Sequence, residues 1–358
     1  MQSISLTALT LALTAGAAFA GNLTPPPGAP SSTMKTLQEV EPRTPIQSVP
    51  GAGTVMHVIS QSGSYYLTGN LVVPSNGIGI QVSADNVTID LNGFSIIGTS
   101  SGANALNGIH VPSVRRYLTV KNGTVRFFGS ECVNAANVIG GRFENLAIFD
   151  SQGNHGIRVG DGAVVRGVRA ESNNVAGIFG GASGTFTDCV AIDNGGDGIA
   201  AGSYATVNNC TALNNGQDGI SSNQRSTVMN CSSNGNFGDG IEMSFGGIVK
   251  NCTASFNGQG IRVDAGGAVV VLENEVSNNT GAGILVAAGQ ASRIDSNHIG
   301  FNGQFGVRVL TADNFIVRNT ARSNVTNYSI VAGNEAAAVI SNPGDAFTSS
   351  NAWANFAY

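Results

Sequence analysis

The chain is 358 residues long, with 49 glycines, 11% charged residues and 6% aromatic residues. Amphipathic helices need charged faces, so this composition excludes a mainly helical protein and favours many turns joined by short, half-buried strands. A net charge of −5 without any Lys/Arg cluster excludes a partner such as nucleic acid, and it weighs against an anionic polymer bound without the help of a cation.

Residues 1–20 read as a signal peptide. Leu6 to Phe19 is small and apolar, and Ala18-Phe19-Ala20 resembles a cleavage site ahead of Gly21, although the segment before Leu6 lacks Lys and Arg. Residues 21–50 carry Pro25, Pro26, Pro27, Pro30, Pro42, Pro45 and Pro50, which predicts an extended linker or a strap along the surface. No later stretch is apolar for long enough to form a transmembrane segment. The expectation is an exported protein, secreted, periplasmic or at the cell surface.

From residue 51 to 332 the sequence repeats. A Gly followed by Ile or Val stands at 156, 177, 198, 219, 240, 260, 283 and 306, with earlier copies at Gly79-Ile80 and Gly108-Ile109. Other rows keep the same phase. Val165, Phe186, Val207, Val228 and Val249 form one; Val168, Cys189, Cys210, Cys231 and Cys252 another; Ala170, Ala191, Ala212, Ser233 and Ala254 a third. Asn173, Asn194, Asn215, Asn236, Asn257, Asn279, Asn302 and Asn324 form the fourth. Ile261 and Val263 alternate with Arg262, the period of a strand. Val207 and Cys210 are three apart, so the chain must bend at Asn208-Asn209 if both point inward, and again near Asn215-Gly216. That predicts an all-β solenoid with about 21 residues and three short strands per coil. A coil of this kind buries its apolar edge only by stacking on its neighbours. About a dozen coils at ~4.8 Å each would span roughly 55 Å. Stacked Asn amides would bond to one another along the stack. The open ends need covers; Ser64-Tyr65-Tyr66-Leu67 and residues 333–358, with Phe347, Trp353, Phe356 and Tyr358, are the predicted caps.

Residues 54–332 resemble the pectin-lyase-like superfamily of right-handed parallel β-helices. The resemblance lies in Val87-Thr-Ile-Asp-Leu-Asn-Gly-Phe-Ser-Ile-Ile-Gly98, in Leu118-Thr-Val-Lys-Asn-Gly-Thr-Val-Arg-Phe-Phe-Gly129, and in the repeats Asn194-Gly-Gly-Asp-Gly-Ile199 and Asn215-Gly-Gln-Asp-Gly-Ile220. It implies the fold and not the chemistry, because that fold hosts lyases, hydrolases, epimerases and non-catalytic adhesins. The superfamily's catalytic signatures are mostly missing. Asn154-His155-Gly156 lacks the adjacent Asp pair of polygalacturonases, and the Trp-Ile-Asp-His run of pectate lyases and the Asp-Pro-His-Asp of alginate epimerases are absent.

Four of the five cysteines share one row. Their parallel side chains suit a stack of buried thiols better than disulfides, and four sulfurs in line suit tetrahedral zinc poorly.

Two outward rows could carry chemistry. The residues before the Gly-Ile pairs include His155, Asp197, Asp218 and Asp239. Three carboxylates one coil apart could hold calcium or act as an acid/base pair on a glycosidic bond; Asp-Gly is also ordinary turn chemistry. The second row runs Gln81, His110, Arg158, Phe179, Ala200, Ser221, Glu242, Arg262, Leu285 and Arg308. In the superfamily such a strand face often lines the substrate groove. His110, Arg158, Glu242, Arg262, Asp264 and Arg308 are therefore candidates for substrate binding, with Arg158 beside His155 and Asp161. His155, Arg158, Asp197, Asp218, Asp239, Glu242 and Arg262 are candidates for catalysis. Coils without long inserted loops give little groove to exclude water. The sequence thus favours a non-catalytic binding or structural rod for polysaccharide, with a divergent polysaccharide lyase or glycoside hydrolase as the alternative.

Overall fold

The computed structural model describes residues 42–99, 106–341 and 350–358. The signal peptide and most of the Pro-rich strap lie outside the described residues, as does Phe347 of the predicted cap. Arg43–Tyr358 is one compact unit, a right-handed parallel β-helix. Three strands alternate with three bends in each coil. The first sheet stacks Ile157–Val159, Ile178–Gly180, Ile199–Ala201 and Ile220–Ser222 in parallel register. The second stacks Val164–Arg166, Thr185–Thr187, Thr206–Asn208 and Ser226–Met229. The third stacks Arg169–Glu171, Val190–Ile192, Thr211–Leu213 and Ser232–Asn234. Longer strands such as Ile241–Lys250 and Ile261–Leu272 run through a corner from the first sheet into the second.

The bends contain left-handed residues. In one coil these are Tyr204, Asn209 and Asn214, with φ of 60°, 54° and 55°. Asn tolerates this conformation, but Phe256, Arg225, Glu273 and Phe301 adopt it as well, at a cost of roughly 1–2 kcal/mol each. The coils above and below hold them there through main-chain hydrogen bonds, such as Phe256 N–H to Ser277 O.

The second predicted bend falls one residue early, at Asn214. Asn215 is buried and belongs to a continuous amide ladder. Its Nδ2 donates to Asn236 Oδ1 at 2.9 Å, and the same oxygen accepts the Asn215 backbone N–H at 2.9 Å. The pattern repeats from Asn173 to Asn324. The glycines of the Gly-Ile pairs make room for this ladder. A Cβ on Gly198 would sit 2.7 Å from Asn215 Nδ2 and 2.6 Å from Gly219 O.

All five cysteines are free and buried. Their row continues in a second amide ladder: Cys252 N–H donates to Asn274 Oδ1, and Asn274, Asn297, Asn319 and Asn355 are bonded in series. At the N-terminal end, Thr44–Pro45 pairs outside Tyr65-Tyr66 and Ile46 is fully buried. Ser64–Leu67 is therefore an inner rung and not the cap, because the end of the strap itself supplies an outer one. At the other end Asn355–Ala357 pairs with Val339–Ser341 and with Thr320-Ala321. Trp353 stays half exposed, and the Arg318 guanidinium lies 5.2 Å from the centre of its ring.

Replacing Asn236 by Ala strands the Asn215 backbone N–H and one of its amide N–H groups in the interior, and takes one of its two donors from the Asn257 oxygen. Each such group costs about 1–3 kcal/mol, so the variant should lose about 3 kcal/mol in urea unfolding with an unchanged slope. Asn174→Ala, at an exposed position beside the ladder, should stay within about 0.5 kcal/mol of the parent.

Candidate functional site

Alternation along the strands of the first sheet turns one residue per coil outward. The parallel register aligns these residues as Val58, Gln81, His110, Asn134, Arg158, Phe179, Ala200, Ser221, Glu242, Arg262, Leu285, Arg308 and Ser329. Beside it runs the row that precedes the Gly-Ile pairs, and most of that row has a structural duty. Asn107 Oδ1 accepts the Glu131 N–H, His155 Nδ1 the Ala176 N–H, Asp197 Oδ1 the Asp218 N–H, Asp218 Oδ1 the Asp239 N–H, and Gln259 Oε1 the Ala282 N–H. Each side chain caps the coil that follows it.

Ionisable groups gather at two places on this face. The first surrounds Glu131, a buried carboxylate. It accepts bonds from Ser130 Oγ at 2.9 Å, Asn134 Nδ2 at 3.1 Å and Asn154 Nδ2 at 3.0 Å. His110 and His155 both feel its charge. Burial holds the imidazoles below their usual pKa, while Glu131 pulls the other way. The Arg158 charge lowers His155 further. With its Nδ1 accepting a backbone N–H, His155 is a neutral ring whose Nε2 carries the proton. That ring stacks on Phe179 with 4.5 Å between centroids, and the Arg158 guanidinium lies 5.5 Å from the centre of the same Phe179 ring. Asp161 turns away from its expected role beside Arg158 and caps the Ala182 N–H at 2.8 Å.

The second is acidic. Asp197 Oδ2 accepts from Ser221 Oγ at 2.7 Å. Burial, then contact with Asp218 and repulsion from Asp218, Asp239 and Asp264, push the Glu242 carboxyl up to about 7. Burial and the Asp218 charge raise Asp239 to about 6 against the pull of Arg262. Arg262 bridges the cluster, 3.7 Å from Asp239 and 3.1 Å from Asp264.

The structure therefore brings together Asp218, Asp239, Glu242, Arg262 and Asp264, and separately His110, His155 and Arg158. Arg308 belongs to neither group; Leu285 separates it from Arg262, and its guanidinium lies over Phe305 at 4.6 Å. Among the described residues no group of three or more His, Cys, Asp or Glu side chains is arranged to hold a metal ion. At the possible calcium row Asp197, Asp218 and Asp239, Asp197 and Asp218 each direct one oxygen at the next coil's backbone N–H.

Glu131 and Asn134 have no counterpart among the residues predicted from sequence. Their coil carries Cys132 where the others carry Gly, which hides the repeat. The spacing was a usable signal, since Cys132 stands 24 residues after Gly108 and 24 before Gly156.

The family model described as "Right handed beta helix region" matches residues 199–343. Among solved structures, a double mutant of the periplasmic alginate epimerase AlgG is similar over 80% of this chain and 82% of its own, with 13% identity and a TM-score of 0.56. The A-module of the mannuronan C-5 epimerase AlgE4 of Azotobacter vinelandii is similar over 77% of this chain and 90% of its own, with 15% identity and a TM-score of 0.51. No curated protein matches the sequence. The chain is a right-handed parallel β-helix repeat protein. It shares its fold with both of these epimerase structures.

Glu242 and Asp239 bind protons more tightly folded than unfolded, so stability is fully present below their ordinary pKa values and falls as pH rises toward about 7. Urea midpoints measured from pH 4.5 upward should decline across this window, and Glu242→Gln should flatten the decline. A parent curve that rises from pH 5 to pH 7, with Glu242→Gln leaving it unaltered, contradicts the raised Glu242 carboxyl.

Proposed function

We propose that this chain is an exported, non-catalytic β-helix that binds polysaccharide along the outward face of its first sheet. The observation that carries the reading is the continuous outward row, mostly of polar and aromatic groups, from His110 to Arg262. The cavities of about 580, 310 and 540 Å³ are lined by other residues. Water-excluding walls are what acid/base chemistry on a glycan needs, whereas a flat ladder of side chains suits a polymer lying across it.

The Arg158, His155 and Phe179 group favours a uronate sugar. A guanidinium reads a carboxylate with paired hydrogen bonds, the His155 Nε2–H donates to a hydroxyl, and the Phe179 ring offers an apolar edge. The fold is shared with epimerases whose names specify alginate and mannuronan, both polyuronates. A periplasmic or secreted location fits a protein that meets such polymers.

One observation supports the second reading, a divergent polysaccharide lyase or glycoside hydrolase. Glu242 at about 7, in contact with Asp218 and one coil from Arg262, has the proton affinity of a general acid or base at neutral pH.

Affinity electrophoresis through alginate, with and without calcium, alongside assays for unsaturated products, reducing ends and changed uronate configuration, separates the two. Binding without any product, weakened about tenfold by Arg158→Ala (roughly 1.4 kcal/mol), is the expected result. Turnover that Glu242→Gln or Asp218→Asn abolishes would replace it with the enzyme.

A further inference from the structure

An aromatic-lined groove lies at the corner between the third and first sheets, away from the ionisable row. There Phe237 and Phe256 flank an open groove of about 540 Å³ whose floor is formed by Gly216, Gly235 and Gly258. Phe237 is 87% exposed and Phe256 66%. Neither ring is needed for the fold. Phe237 follows the ladder residue Asn236, at the position where the neighbouring coils carry Gly216 and Gly258. At both glycines a Cβ would press on the backbone of the preceding coil. Phe256 has a φ of 58°, in a row where the coils around it carry Asn214, Gly235 and Asn278. Those residue types suit left-handed backbone; an aromatic one is strained there. Two solvent-facing aromatic rings at one groove, one of them on a strained left-handed residue, point to a ligand.

The lining also defines the ligand's chemistry. None of the ten lining residues is ionisable; apart from Phe and Gly they are Asn and Thr280. The ladder amides are committed to one another, which leaves Asn214, Thr280 and main-chain groups to exchange hydrogen bonds with hydroxyls. Aromatic faces beside amide and hydroxyl groups match the C–H face and equatorial hydroxyls of a pyranose. The missing charge excludes an ionic anchor for a uronate. Coils repeat every ~4.8 Å, close to the length one sugar adds to an extended chain, so a polymer running along the corner meets equivalent positions on successive coils. Phe301 stands on the Phe256 row two coils further on and is half exposed, with the Arg322 guanidinium 5.1 Å from the centre of its ring.

We propose that the Phe237/Phe256 groove is a binding site for a neutral polysaccharide, separate from the charged face of the first sheet.

The test uses the full mature chain in affinity gels containing hydroxyethyl cellulose, galactomannan or dextran, with alginate as the charged control. The wild type should be retarded in at least one neutral gel, with no loss on adding salt. Phe237→Gly and Phe256→Asn should each weaken that retardation on the order of tenfold, and alginate migration should not change. Phe256→Asn should melt at or above the wild-type temperature, because Asn relieves the left-handed strain, so lost binding would not reflect lost folding. Arg158→Ala should leave the neutral-gel result unchanged whatever it does in alginate, which keeps this site distinguishable from the charged face. No retardation in any neutral gel, or retardation that both Phe variants leave intact, overturns the proposal. So does a concentration-dependent dimer in sedimentation that Phe237→Gly dissolves, since a second copy would then be what covers the rings.

Discussion

Everything in this protein follows from the requirement that each coil lie in register on the one before it. A single coil of about 21 residues closes no core, and its backbone groups find partners only above and below. The asparagine ladder enforces that register most strictly. Each Oδ1 takes two donors from the preceding coil, one from the backbone and one from the side chain. A slip of one residue would leave these groups unpaired in the interior, where each costs far more than a hydrogen bond contributes. The glycines beside the ladder and the small Ala row opposite it are consequences of that packing.

The same requirement explains why the candidate functional rows are hard to separate from structural ones. Asp197 and Asp218 stand on the outer face, where a carboxylate could meet a ligand, but each first satisfies a backbone N–H of the next coil. His155 does the same through Nδ1. Such dual use fixes the side chains in place, and it leaves one oxygen or one ring nitrogen free to act outward. Glu242 and Arg262 have no capping duty of this kind, so their charges are set by burial and by each other. That makes the acidic cluster electrostatically tense: three carboxylates around one guanidinium raise the proton affinity of the most crowded member.

The fold was legible in the sequence because stacking writes itself as periodicity. Gly-Ile, Val, Cys, Ala and Asn rows in one phase leave only a solenoid, and the inward residues of those rows are buried up to the half-buried last amide, Asn324. The bends were less legible. Turn chemistry points to Asn and Gly, whereas Tyr204, Phe256 and Phe301 occupy left-handed positions that only the neighbouring coils enforce. The site was legible in part. Arg158, Glu242 and Arg262 could be placed on one face by counting, but Glu131 could not be found while its coil was masked by Cys132. Nor could counting show that Asp-Gly marks a cap, since capping depends on a backbone N–H contributed by a residue 21 positions later.

The exchange of cysteine for asparagine along one inward row shows the same constraint at work on the interior. Val165 O, Phe186 O, Val207 O and Val228 O each receive a thiol, from Cys189, Cys210, Cys231 and Cys252, at 3.5–3.8 Å. In the coils that follow, the equivalent carbonyls of Val249, Val271, Ile294 and Ile316 receive an amide, from Asn274, Asn297, Asn319 and Asn355, at 2.9–3.0 Å. A thiol is a weak donor and an amide a strong one. The amide also accepts the backbone N–H of the preceding coil, which the thiol leaves to other partners. The change coincides with coils lengthening from 21 to 22 or 23 residues between Asn257, Asn279 and Asn302. A longer coil brings extra backbone groups to the corner, and a second amide ladder satisfies them without breaking register. The junction falls between Cys252 and Asn274, within the acidic cluster, so Asp218, Asp239 and Glu242 sit on thiol-lined coils while Arg262 and Asp264 sit on the first amide-bonded one.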